Sequence, residues 1–183
     1  NFTENFIGPI NMGDAEVRLS NDFADQEPIA GALNALLGSI EHGDYFALNA
    51  FLPFTGEGRR EALESIRHGV AEKRGVVSCL EVGPRYLHST GQLQKGGPNI
   101  GVFLILSADE LKDIPLNNEA ESLGNLAKAQ AIGDFETLAS RGRRCIHLHL
   151  PDNSGVTLRA LAVIINNLLE ELEDFVPVED LCE

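Results

Sequence analysis

Four short apolar runs alternate with longer segments of helical spacing, and this alternation limits the possible folds more than any other feature. Nearly continuous apolar runs of this length are typical of buried strands. They occupy residues 44–53, 76–82, 100–108 and 144–150. Helical spacing covers residues 28–40, 58–75, 121–142 and 156–175, and a break could fall in the third segment near Gly133. We therefore predict a three-layer α/β fold, with a mainly parallel sheet flanked by helices and residues 100–108 as its central strand.

The length of the chain bounds its domain organisation. The 183 residues suit one domain with a core of its own, not two small ones. We predict a single α/β domain over 28–175, an irregular lead-in over 1–27 with a short strand at Ala15–Leu19, and an acidic tail over 176–183. Because the chain starts at Asn1 and not at Met, we expect a processed product or a piece of a longer polypeptide.

Composition argues against two classes of partner. The chain carries 14 Lys and Arg against 28 Asp and Glu, a net charge of −14, whereas nucleic acids and anionic membranes both attract positive surfaces. No apolar run approaches the roughly 20 residues of a membrane-spanning helix. The N-terminal residues also lack the charged start and following apolar stretch that are typical of a signal peptide. The three cysteines form neither a C-x-x-C pair nor a disulfide framework, which favours a reducing cytoplasm.

The stretch GPRYLHSTGQLQKGGPNIG, residues 83–101, contains no acidic residue although the protein is strongly acidic. It begins where the predicted strand 76–82 ends, and α/β sheets bind ligands at the carboxyl ends of their strands. Arg85 and Lys95 supply cations suited to phosphate. The stretch is neither a P-loop nor a Rossmann fingerprint, since it lacks G-K-[ST] and no glycine triplet opens a helix after it.

The same region also holds neutral and titratable groups. Ser89, Thr90 and Gln92 could hydrogen-bond a sugar. Histidine is the side chain best suited to proton transfer near neutral pH, so His88 is a catalytic candidate. Glu81 is the carboxylate nearest to the stretch, and it could act as a base or have only a structural role at the strand edge. The alternative for the whole stretch is a glycine-rich connection with solvated cations.

Three blocks of the chain resemble a known family. They are GPRYLHSTGQLQKGGPNIGVFLIL, the downstream AKAQAIGDFETLASRGRRCIHLHL and the upstream GDYFALNAFLP, and they fall within residues 43–150. All three resemble a region near the C-terminus of bacterial bifunctional transaldolase/glucose-6-phosphate isomerase proteins. That family belongs to the phosphoglucose isomerase group, whose members are built on sugar-isomerase (SIS) α/β domains. The run HSTGQLQKGGPN is the most specific part of the likeness.

The resemblance implies interconversion of glucose 6-phosphate and fructose 6-phosphate in the cytoplasm, a step of carbohydrate metabolism shared with glycolysis and the pentose phosphate pathway. The reaction proceeds by ring opening and proton transfer through a cis-enediol, without a metal or other cofactor. Carried onto this chain, it implies that His88 assists ring opening, that Glu81 moves the proton, and that residues 83–97 line a sugar-phosphate site.

The chain also departs from the family pattern. It lacks the transaldolase barrel, a Ser-rich phosphate loop, the glutamate-bearing signature around the proton-transferring base and the length of a two-domain isomerase. We therefore expect the C-terminal portion of the fused protein or a stand-alone relative. Another domain or subunit would complete its site.

Two other functions remain open. A non-catalytic interaction or regulatory module would keep residues 83–97 for packing or assembly. His147 and His149 lie two residues apart on one face of a predicted strand and could ligate zinc, although no third ligand stands out by spacing. Cys79 and Cys145 fall in predicted buried strands, where we expect them to act as small hydrophobes.

Overall fold

Five strands form one sheet in the structure, a computed structural model that describes residues 15–23, 29–116 and 121–172. In chain order the strands are β1 (Glu16–Leu19), β2 (Tyr45–Phe51), β3 (Val77–Val82), β4 (Gly101–Ala108) and β5 (Arg144–Leu150). They lie side by side in the order β1-β5-β4-β2-β3. β1 runs antiparallel to β5, and all other neighbours are parallel. The predicted central strand and the short first strand are both confirmed.

Helices cover both faces of this sheet. They are α1 (Ile29–Gly38), α2 (Arg59–Arg74), α3 (Thr90–Gly96), α4 (Leu123–Ser140) and α5 (Gly155–Glu171), with short 3₁₀ helices at Asn21–Phe23 and Arg85–His88. α1, α2 and α5 pack on one face of the sheet, whereas α3 and α4 lie on the other. This arrangement confirms the predicted three-layer α/β fold with a mainly parallel sheet.

Local sequence sets the ends of the helices. Gly75 follows α2 with a φ of 62°, a left-handed conformation that glycine adopts without strain. The side chains of Ser122 and Ser154 cap α4 and α5 by accepting backbone N–H groups of the first turn. α4 runs through Gly133 without interruption, so the predicted break is wrong. Gly133 is exposed there, and the packing of buried Phe135 and its neighbours against the sheet outweighs the low helix propensity of one glycine.

The inner strands β2, β4 and β5 are buried on both faces, as their apolar runs predict. The face toward α1, α2 and α5 is apolar along its length, with Leu48, Leu104 and Ile146 side by side. The face toward α4 becomes polar near the carboxyl ends of the strands, where it carries Asn49, Ser107, His147 and His149. A polar, buried row at this edge of the sheet sets the position of the candidate site.

β3 differs from the other parallel strands because it lies at the edge of the sheet. Its first residue, Val77, is exposed and the remaining residues are half-buried, so the prediction of a buried strand at 76–82 is wrong. Cys79 is half-buried on β3, and Cys145 is buried on β5. Burial raises the pKa of these two thiols to about 11 and about 12, so both remain protonated and unreactive at neutral pH.

Some predictions concern residues outside the described ranges. These are most of the lead-in (1–14 and 24–27), the first residue of the predicted helix 28–40, the last three residues of the predicted helix 156–175, and the acidic tail at 176–183. Within the described ranges, none of the helices combines the length and the apolar character needed to cross a bilayer.

Candidate functional site

The acid-free stretch is mostly helical, so the interpretation as a glycine-rich loop is wrong. The second 3₁₀ helix and α3 cover most of it. Two of its glycines allow close packing: a Cβ on Gly83 would lie 2.5 Å from the ring of Phe51, and one on Gly91 would lie 2.9 Å from the carbonyl oxygen of Tyr86. The segment is therefore packed against the sheet at the carboxyl end of β3.

A buried carboxylate on α4 fixes the segment in place. The Asp134 side chain is fully buried and contacts both the hydroxyl of Tyr86 and the ammonium of Lys95. Burial raises the pKa of Tyr86, and the charge of Asp134 raises it further, so the phenol stays protonated and donates its hydrogen bond. The Lys95 side chain is only 15% exposed. The charge predicted to bind phosphate is thus already balanced by Asp134.

A second set of contacts ties α3 to the sheet and to the start of β5. The amides of Asn49 and Gln94 exchange two hydrogen bonds of 2.9 and 3.3 Å, both buried. The guanidinium of Arg143 donates to the carbonyl oxygens of Lys95 and Gly97 at 3.1 and 2.6 Å. These bonds leave α3 little freedom to move relative to β2.

The remaining predicted ligands stay exposed on the same segment. We call them the 85–92 surface: Arg85, His88, Ser89, Thr90 and Gln92. Arg85 and His88 are three residues apart in a 3₁₀ helix, where side chains at that spacing project on the same side. Neither side chain has a hydrogen-bond or ion-pair partner among the residues that the structure describes. Both are free to meet a ligand.

Two members of the 85–92 surface make local hydrogen bonds. Ser89 Oγ donates to the carbonyl oxygen of Tyr86 at 3.2 Å, and Gln92 Nε2 donates to that of Leu87 at 2.9 Å. Each side chain keeps an oxygen that can accept a hydrogen bond from a sugar hydroxyl.

Glu81 lies on β3 in register with Asn49, so it belongs to the sheet face that α3 and α4 cover. Its side chain is half-buried. The charge of Glu81 is one cause of the raised pKa of Tyr86, after burial and the interactions with Asp134. The candidate base therefore lies on the sheet face beside the anchored segment.

A second polar cluster lies at the carboxyl ends of β4 and β5. Ser107 Oγ lies 2.8 Å from His147 Nε2 and 2.8 Å from His149 Nδ1, and His149 Nε2 lies 3.0 Å from a carboxylate oxygen of Asp109. The sequence pointed to the two histidines but not to Ser107 or Asp109. A serine within an apolar strand carries no signal by itself, and only the register of β4 and β5 brings it between the imidazoles.

Burial dominates the chemistry of this cluster. It lowers the pKa of His147 to about 4, with further contributions from His149, Arg18 and Lys128. The Nδ1 atom of His147 is buried, and no residue in the described part of the chain gives it a hydrogen-bond partner.

The zinc hypothesis finds little support in this geometry. Both histidines use a ring nitrogen to bind Ser107. Nowhere in the described ranges do three His, Cys, Asp or Glu side chains come close enough to share a metal ion.

Comparison with known proteins extends only to the fold. No protein-family model matches the chain, and none of the curated proteins does. A solved structure, that of hypothetical protein TT0462 from Thermus thermophilus, matches with a TM-score of 0.65 and 20% sequence identity. The match covers 77% of this chain and 38% of that one. The likeness is one of fold alone.

Proposed function

We propose that this chain is a phosphosugar-isomerase-related domain whose 85–92 surface lines a site for glucose 6-phosphate or fructose 6-phosphate. The observation that carries the proposal is the exposure of Arg85 and His88, side by side and without partners, on a segment anchored by buried contacts. Its sequence, HSTGQLQKGGPN, resembles the isomerase family in the most specific part of the likeness.

Charge supports a phosphate ligand at this place. The protein as a whole carries −14, but residues 82–108 include no carboxylate, so a phosphate meets no repulsion from the segment itself. Because Asp134 balances Lys95, Arg85 is the cation that remains to bind the phosphate. Lys95 then acts as a positioning residue that holds α3 in place.

In this proposal His88 assists ring opening and Glu81 moves the proton between C1 and C2. The 85–92 surface is open to solvent on this chain, whereas an enediol intermediate requires protection from water. Another domain or subunit therefore completes the site, in agreement with the chain's departures from the family pattern.

The proposal is tested by ligand binding to the full chain. We expect millimolar fructose 6-phosphate or 6-phosphogluconate to raise the melting temperature, and Arg85→Gln to abolish this shift. Arg60→Gln is the matched control, because Arg60 is an exposed arginine on α2, on the opposite face of the sheet. An intact fold with no response to either ligand contradicts the proposal, as does an equal loss in both variants.

The second candidate is a non-catalytic module, and a specific observation favours it. Tyr86, Gln94 and Lys95 all make buried contacts that serve packing, so the family segment has a structural role even without a ligand. Phosphosugar binding without isomerisation in a coupled assay would select this candidate. A partner domain seated on the 85–92 surface would select it as well.

A further inference from the structure

The Ser107 cluster is separate from the 85–92 surface. Phe51, Ser107 and His149 lie in one row across β2, β4 and β5, and Gly83 follows Val82, the last residue of β3. Three strand spacings of about 4.8 Å put His149 about 14 Å from the start of the acid-free stretch, and the ring of Phe51 packs against Tyr86 between them. Any chemistry at the cluster is therefore distinct from the phosphosugar proposal.

The hydrogen bonds of the cluster have one direction, and Asp109 sets it. A carboxylate can only accept, so His149 carries its proton on Nε2 and donates to Asp109. In the tautomer that has this single proton, Nδ1 of His149 carries a lone pair, which the hydroxyl of Ser107 satisfies. Because that hydroxyl has one proton to give, Ser107 accepts from Nε2–H of His147.

The two ends of this chain of bonds differ in their access to water. Asp109 is 70% exposed, whereas the side chain of His149 is 5% exposed and Ser107 and His147 are both buried. With its proton on Nε2, His147 has a lone pair on Nδ1, and this buried atom has no hydrogen-bond partner among the described residues. A buried lone pair in that position is unfavourable unless a donor reaches it, and native proteins seldom retain such a cost without a use.

We propose that these four side chains form a proton relay between solvent at Asp109 and a small neutral hydroxyl donor, water being the simplest, held against His147 Nδ1. The donor gives its proton to Nδ1 while His147 passes its Nε2 proton to Ser107. Ser107 passes its own proton to Nδ1 of His149, and the Nε2 proton of His149 moves to Asp109 and then to solvent. This forward transfer leaves the donor as its anion and both rings with their proton on Nδ1. The reverse transfer, begun by a solvent proton taken up at Asp109, restores the donor and the Nε2–H form of both rings. One full cycle thus exchanges protons with solvent and leaves every proton count unchanged.

The surrounding charges act against a cationic donor, and burial acts against a charged donor of either sign. Arg18 on β1 faces His147, and Lys128 on α4 acts on it as well, so a cationic ligand is repelled. Glu16, the neighbour of His149 on β1, is paired with Lys128 at 3.5 Å. The tilted ring of Phe135, with its centroid 6.3 Å from that of His147, is an apolar neighbour at this end of the relay.

The first test is the tautomer of each histidine, read from the imidazole nitrogens of the full chain by NMR at neutral pH. The relay requires a proton on Nε2 and a lone pair on Nδ1 in both rings. A proton on Nδ1 of either ring overturns it.

The second test is the exchange of the His147 Nε2 proton with solvent water. If the relay carries this exchange, its loss leaves opening of the fold as the remaining route for the proton. We therefore expect Ser107→Ala and Asp109→Asn each to slow the exchange by about tenfold or more. Ser107→Thr keeps the hydroxyl and should restore the wild-type rate. Asp113→Asn is the matched control, because Asp113 is a neighbouring exposed acid that contacts backbone amides and no histidine.

The sign of the effect separates the relay from a structural role. If Ser107 only holds the histidines in place, its removal loosens them and the exchange becomes faster. Faster or unchanged exchange in Ser107→Ala or Asp109→Asn therefore overturns the proposal.

Discussion

Removing the carboxylate of Asp134 should destabilise the protein strongly, because that group serves two buried partners. Asp134→Asn leaves the ammonium of Lys95 without a counter-ion in a site where its side chain is only 15% exposed. Breaking a buried ion pair from one side costs about 3–5 kcal/mol. Since Lys95 retains a path to water and the introduced amide would still accept a hydrogen bond from Tyr86, we expect a loss of about 2–4 kcal/mol.

A double-mutant cycle tests the reason for this loss. Lys95→Met alone removes one of the two partners of Asp134 and leaves the hydroxyl of Tyr86. We expect this variant to lose about 2–3 kcal/mol of unfolding free energy. The double variant, Asp134→Asn with Lys95→Met, has no unpaired charge, so its loss should fall below the sum by about 2 kcal/mol. Lys73→Met is the control, because its partner Glu170 is 65% exposed and an exposed pair contributes about 0–1 kcal/mol.

Urea denaturation followed by far-UV circular dichroism measures these free energies, provided that the m value stays constant across the variants. If both single variants lose less than about 1 kcal/mol, or if their effects simply add, then Lys95 is not held by Asp134. Lys95 would then be available to bind phosphate together with Arg85.

Two further predictions concern stability. The folded-state pKa of His147 is about 4, below the ordinary value of about 6.5. Its neutral form therefore contributes stability that is complete above pH 6.5 and is lost as the pH falls toward 4. His147→Phe should flatten this part of a pH–stability profile by up to about 3 kcal/mol. Gly133→Ala should stabilise the protein by about 1 kcal/mol, because a Cβ at this position meets nothing within 4 Å. Gly155→Ala should destabilise the protein, because its Cβ would lie 1.7 Å from the carbonyl oxygen of Glu57. The urea midpoints of the two glycine variants should therefore shift in opposite directions. Shifts of the same sign would be inconsistent with the backbone packing described above.

The fold was largely predictable because its signals are local. Runs such as 100–108 contain nothing but apolar and small residues, so they identify inner strands without any knowledge of their neighbours. The edge position of β3 was not predictable in this way, since Val77 would suit a buried strand as well as an exposed one.

The site was predictable in position but not in its contacts. Arg85 and His88 could be singled out because they lie in a stretch without acids. The pairing of Lys95 with Asp134 depends on how α4 packs over α3, and residue pattern alone does not encode that geometry. Ser107 was missed for a similar reason, because its significance arises only when parallel strands place it between two imidazoles.

The most direct test of the central claim is to map the backbone amides that respond to fructose 6-phosphate in ¹H–¹⁵N spectra of the full chain. The account predicts concentration-dependent shifts centred on residues 85–92, with little change on α2 and α5 across the sheet. Shifts confined to another part of the protein, or none at millimolar ligand with the fold intact, would contradict it.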